Sequence, residues 1–120
     1  MAPTDRYLLF VEYFNNGKFM SAQTTLDEDW IEEEGDRKQF LGGLIQVAVS
    51  LYHATNDNAV GGSKIYQKAK AMLKPSAPVC EGINLEKLFQ DLDAYFANVE
   101  TEKLTDIEYM KRAPKIEYTS

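Results

Sequence analysis

Apolar residues recur at helical rather than strand spacing along most of the chain, and polar breaks divide them into about five segments. The first helix is predicted from Asp5 to Phe14, where Tyr7, Leu8, Leu9, Phe10, Val11, Tyr13 and Phe14 leave little polar face. Such a helix is either covered on most sides or joins an interface. Thr4 is its expected N-cap, with Asp5 near the positive helix end. Asn15-Asn16-Gly17 then stops it, because Asn and Gly tolerate positive φ. A second helix is expected from Lys18 to Glu34, with Phe19, Ala22, Leu26 and Trp30 as its inner stripe and Gly35 at its end. Its acidic last turn opposes the helix dipole and should fray unless Arg37 or Lys38 compensates.

A third helix runs from about Asp36 to Thr55, and its centre, Phe40 to Ala54, is apolar around the whole axis. That pattern marks a buried central helix. The alternation of Val47 and Val49 would suit a strand, but the length of the run and the lack of turn residues after Leu44 argue against one. Gly42 and Gly43 each cost about 1 kcal/mol in a helix interior, which a close helix approach would offset. Asn56-Asp57-Asn58 reads as a turn, and a fourth helix follows from Ala59 to Leu73 with Asn58 as N-cap. Pro75 and Pro78 impose a loop from Lys74 to Ile83. The fifth helix, capped by Asn84, places Leu85, Leu88, Phe89, Leu92, Tyr95, Phe96 and Val99 on one face. The expectation is an all-α fold: a compact bundle of about five helices over residues 1–100, and a partly extended C-terminal tail, 101–120, that docks in part.

Composition narrows the functional classes. The chain has 120 residues, enough for one domain with a real core. Its net charge of −6 repels phosphate backbones, so nucleic acid is not an expected partner. Nor is a membrane, since no apolar stretch is long enough to span one and the N-terminus lacks a secretory pattern. The cytoplasm is the natural compartment. Cys80 is the only cysteine, so neither an internal disulfide nor a thiolate zinc cluster can form.

Chemistry concentrates on two facing stripes. Gln46, Ser50 and His53 share one face of the third helix, and Gln23, Asp27 and Trp30 share one face of the second. Antiparallel packing, which the short connection favours, would bring the stripes together as a polar pocket inside the bundle. The same residues also read as a buried polar network that satisfies only itself, and taken alone they favour that reading. His53 could act as a general base held by Asp27, or could lie inertly at a helix end. No phosphate-binding Gly loop, His-Glu-x-x-His helix or nucleophile elbow is present.

The run from Phe14 to Trp30, and Gly43-Leu44-Ile45-Gln46 followed by Tyr52-His53, resemble the two signatures of domain-of-unknown-function family 309. Asn58-Ala59-Val60-Gly61-Gly62 and Pro78 to Leu85 resemble two further family elements, so the similarity spans roughly residues 7 to 99. The resemblance implies a compact all-α bundle, and the family's His-Glu pair suggests a metal-dependent hydrolase. This chain departs at that point: the family's Glu, His and Glu fall on Ser21, Gln23 and Thr24. Gln is a poor transition-metal ligand and Thr cannot replace a carboxylate base. No metal ligand set and no cofactor is therefore expected. The reading that results is a non-catalytic helical module, degenerate at the family's metal site, that binds a small ligand or a protein partner. Partner binding or homo-oligomerisation would use the first helix. The alternative is a hydrolase, metal-dependent or His-based, using the pocket around Asp27 and His53.

Overall fold

Gly17 and Gly35 adopt positive φ, 75° and 66°. These two breaks separate the first three helices. The computed structural model describes residues 5–101 and 106–119. Within them the chain forms α1 (Asp5–Asn15), α2 (Phe19–Glu32), α3 (Gly35–Thr55), α4 (Ala59–Leu73), a 3-10 turn (Lys74–Ser76), a two-stranded hairpin of β1 (Val79–Cys80) and β2 (Ile83–Asn84), α5 (Leu85–Thr101) and α6 (Asp106–Arg112). The fold is mostly all-α, as the periodicity predicts. Thr4, the expected cap of the first helix, lies outside the described residues.

α3 is the central element. Phe40, Leu41, Leu44, Val47, Ala48, Leu51 and Ala54 are all buried along it. It packs between α2 and α4; α1 covers α2, and α5 covers α4. Glycines set how closely the helices approach. A Cβ at Gly43 would meet Leu73 Cγ at 2.6 Å, and one at Gly62 would meet the Ser50 carbonyl oxygen at 2.5 Å. The α3–α4 pair is thus nearly backbone against backbone. Asn58 caps α4 by accepting from the Gly61 amide at 3.1 Å, and Asn84 caps α5 by accepting from the Lys87 amide at 3.1 Å. Across the outer layer, the Tyr66 hydroxyl donates to Asp93 at 2.7 Å, which also pairs with Lys70 at 2.8 Å.

Of the two expected cations, only Arg37 pairs with the acidic end of α2 among the described residues. Arg37 pairs with Glu33, and the Lys38 ammonium sits 4.4 Å from the centre of the Trp30 ring. The inner stripe of α2 differs from expectation. Phe19, Ala22 and Leu26 are buried, but the fourth inward position is Asp29, and Trp30 is 37% exposed. Arg6 of α1 pairs with Asp29, its Nη1 3.1 Å from Oδ1, while Trp30 lies against Gly42 of α3.

Two elements lie outside the five-helix expectation. The Pro-rich loop holds the hairpin, in which Val79 pairs with Asn84 and Cys80 with Ile83. Beyond α5, the tail forms α6 and then an extended segment. Tyr109 and Ile116 are buried, and Tyr118 bridges Ile83. Asn15, at the end of α1, holds this segment: its side chain accepts from the Ile116 amide at 2.7 Å and donates to the Ile116 carbonyl at 3.0 Å. An Asn15→Ala substitution removes both bonds, at about 1.5 kcal/mol. Exchange of the Ile116 amide is expected to accelerate about tenfold while amides of α3 are unchanged. Equal protection in the variant would show that the side chains of Ile116 and Tyr118 suffice to hold the segment.

Candidate functional site

The second, third and fourth helices border a cleft of about 480 Å³, lined by Gln23, Asp27, Trp30, Gly42, Ile45, Gln46, Lys68 and Met72. α2 supplies Gln23, Asp27 and Trp30 on successive turns, and α3 supplies Gly42, Ile45 and Gln46. Gly42 forms the floor: a Cβ there would lie 3.0 Å from Met72 Cε and 3.1 Å from Trp30 Nε1. The missing side chain therefore lets an indole and a thioether converge over the helix backbone. Lys68 and Met72, from α4, were not legible as site residues, because the helical spacing of α4 shows which positions share a face but not that this face borders α2.

Four of the six expected pocket residues, Gln23, Asp27, Trp30 and Gln46, meet at this cleft. Ser50 and His53 do not line it. Ser50 is fully buried against α4, and its hydroxyl donates to the Val47 carbonyl at 2.6 Å, one turn back in its own helix. His53 lies roughly 10 Å farther along α3 than Gln46. Its ring packs edge-on against Tyr52, with centroids 5.8 Å apart, and its carbonyl accepts from the amides of Asn56 and Asn58 where the helix ends. Shared facing along a helix was legible in the sequence. The length of the cleft was not, and it spans only about one turn of α3, from Gly42 to Gln46.

Electrostatics distinguish the residues that remain. Burial raises the pKa of Asp27 above the ordinary carboxylate value. Among the described residues, no hydrogen bond or ion pair within the chain engages the Asp27 carboxylate, the carboxamides of Gln23 and Gln46, or the Lys68 ammonium. These groups face the cleft without pairing to one another, unlike a network that satisfies only itself.

Other chemistry has less to work with. No described group of three His, Cys, Asp or Glu side chains converges as a metal site. At the family's ligand positions, Gln23 and Thr24 are amide and hydroxyl, and the Thr24 hydroxyl donates to the Met20 carbonyl at 3.0 Å. These donors do not fit a transition metal. No ion pair joins Asp27 to His53 among the described residues. The Cys80 thiol is half-buried, and burial, with Glu81 beside it, pushes its pKa up, away from nucleophilic character. No described helix is long and apolar enough to cross a membrane.

The chain is 26% identical over 94 residues to a Bacillus subtilis (strain 168) protein described as "Uncharacterized protein YpuF". That alignment takes in 76% of this chain and 54% of the relative, so the chain spans about half the relative's length. No solved structure matches it. A family model described as "Domain of unknown function (DUF309)" matches residues 7–65, the segment from α1 into α4 that supplies most of the cleft's lining. Over those residues, in agreement with its two signatures, the chain matches the model of the DUF309 family.

Proposed function

We propose that the protein is a non-catalytic module that binds a small organic ligand in the cleft between α2, α3 and α4. One observation carries this reading: four polar groups from three helices face an apolar-floored cleft with no hydrogen-bond or ion-pair partner among the described residues. Recognition sites have this composition, a mostly apolar surface with a few convergent polar groups that fix orientation. Trp30, Ile45 and Met72 supply the apolar surface, and Asp27, Gln23, Gln46 and Lys68 supply the polar points.

The geometry gives less support to the hydrolase reading. A general base must come within hydrogen-bond reach of its orienting group or its substrate, and His53 is not on the cleft lining and makes no hydrogen bond or ion pair with Asp27 among the described residues. A protein partner on α1 is also less well supported. Tyr7, Phe10, Val11 and Phe14 are spent on the core, which leaves Leu8 and Leu9 as the helix's large exposed apolar residues.

Asp27 gives the reading a thermodynamic signature. Its folded-state pKa is raised, so the stability this group contributes is present below its unfolded pKa and is lost as pH rises through the folded value. At neutral pH the ionised side chain therefore opposes folding. Asp27→Asn is expected to be more stable than the parent at pH 7 and equal to it near pH ~3. The same substitution should weaken ligand binding. Trp30 is the only tryptophan and lines the cleft, so its fluorescence reports occupancy directly. A fragment screen should return compounds that shift Trp30 emission in the parent and bind Asp27→Asn less tightly. Absence of any such compound would overturn the proposal, and so would measurable hydrolytic turnover.

A further inference from the structure

The cleft carries opposite charges on opposite walls, and this inference rests on its being the ligand site. Asp27 stands on α2 and Lys68 on α4, both on the cleft lining. They do not pair with each other, since no ion pair within 4.0 Å joins them. Other cations nearby are already engaged: Lys70 pairs with Asp93 at 2.8 Å, and Lys38 lies 4.4 Å over the Trp30 ring. Lys68 has no such partner among the described residues. Trp30, Ile45 and Met72 line the same cleft as an apolar surface, and the carboxamides of Gln23 and Gln46 line it as well.

From this arrangement we infer that the ligand is a small zwitterion with an apolar side chain, of the α-amino-acid type. Its ammonium would donate to the Asp27 carboxylate and the carboxamide oxygens, its carboxylate would meet Lys68, and its side chain would lie against Trp30, Ile45 and Met72. A ligand of a single charge would leave one of the two protein charges unanswered, whereas a zwitterion satisfies both at once. A volume of about 480 Å³ falls within the range of small-molecule pockets, and the open side lets water reach the parts of the ligand that the walls do not meet.

Three matched probes test the inference on the full chain: L-phenylalanine, L-phenylalaninamide, which lacks the carboxylate, and N-acetyl-L-phenylalanine, which lacks the ammonium. Binding is read by Trp30 fluorescence and by amide chemical shifts of residues 23–30 and 42–46. L-phenylalanine should bind about tenfold or more tightly than either derivative, since each removes one charge-assisted contact. Asp27→Asn should erase its advantage over the N-acetyl compound only, and Lys68→Met its advantage over the amide only. Lys68 is exposed, so its replacement leaves the fold intact. Equal binding of the amide, or of the N-acetyl compound, would overturn the zwitterion while leaving a small-ligand site in place. Binding by none of the three, while fragments of another class still shift Trp30, would likewise overturn the inference but not the proposed function. Failure of every compound would remove both.

Discussion

Gly62→Ala is expected to destabilise the protein by about 2–4 kcal/mol, although alanine is the better helix former by about 1 kcal/mol. The added Cβ would lie 2.5 Å from the Ser50 carbonyl oxygen, 3.2 Å from the Ala54 amide nitrogen and 3.3 Å from Cε1 of Phe96. The first two are backbone atoms of the central helix and have no rotamer through which to yield. α4 would have to move away from α3, opening the contacts of Tyr66, Ala69 and Leu73 with the core. Chemical denaturation should show a lower midpoint, and thermal unfolding a Tm lower by roughly 10 °C. Gly61→Ala, one residue earlier, is the control. Its Cβ would meet the Asn58 side chain at 2.4 Å. That side chain can rotate away at the loss of one cap bond, about 1 kcal/mol, which the gain in helix propensity offsets. A Gly62→Ala variant as stable as the Gly61→Ala control would show that the two helices are not packed as closely as described.

This contrast marks what the sequence could reveal. Helix existence and approximate bounds were legible, because Leu85, Leu88, Leu92, Tyr95, Phe96 and Val99 keep a constant spacing and Gly17, Gly35 and Asn58 punctuate the chain with residues of known backbone preference. The glycine pairs signalled close approach, but not which helix approaches. Gly42 and Gly43 are neighbours, yet Gly42 meets Trp30 of α2 as well as Met72, while Gly43 meets Leu73 and Met72, both of α4. The candidate site was legible to the extent that one helix face carries it. Gln23, Asp27 and Trp30 lie on the cleft together because α2 keeps its register over those turns. Ser50 and His53 leave it because α3 is longer than the cleft, and Lys68 enters it only through tertiary packing. The hairpin was hidden for a different reason. Its two central residues, Glu81 and Gly82, have φ of 45° and 81°, a turn normally signalled by Asn-Gly or Asp-Gly. Glu at the first position gives no such signal, so its conformation depends on contacts distant in sequence.

Arg37 makes those contacts, and Arg37→Ala is expected to cost about 2–4 kcal/mol. Its guanidinium grips the Glu81 carboxylate with two parallel bonds, Nε to Oε2 and Nη2 to Oε1, each 3.0 Å long, and reaches Glu33 with Nη1. The side chains of Arg37 and Glu81 are only 16% and 22% exposed, so the pair sits between a solvated surface bridge, worth about 1 kcal/mol or less, and a fully buried one. The Tyr7 hydroxyl donates to the Glu81 carbonyl at 2.8 Å and so holds the same residue from α1. A non-glycine residue at positive φ costs of order 1–3 kcal/mol and persists only where its surroundings fix it. Removing Arg37 leaves a half-buried carboxylate without its fork and frees the turn that seats the C-terminal segment, where the Thr119 amide donates to the Gly82 carbonyl at 2.8 Å. Arg37→Lys should recover little of the loss, because an ammonium cannot make the two parallel bonds. The double variant Arg37→Ala with Glu81→Gln should be less destabilised than the sum of the two single changes, with a coupling of about 1–3 kcal/mol in a double-mutant cycle. Hydrogen exchange should also show Thr119 losing protection in Arg37→Ala before any amide of α3 does. If Arg37→Ala falls within about 0.5 kcal/mol of the parent, the bridge is an ordinary solvated one and the positive φ of Glu81 is maintained by Tyr7 and Gly82 alone.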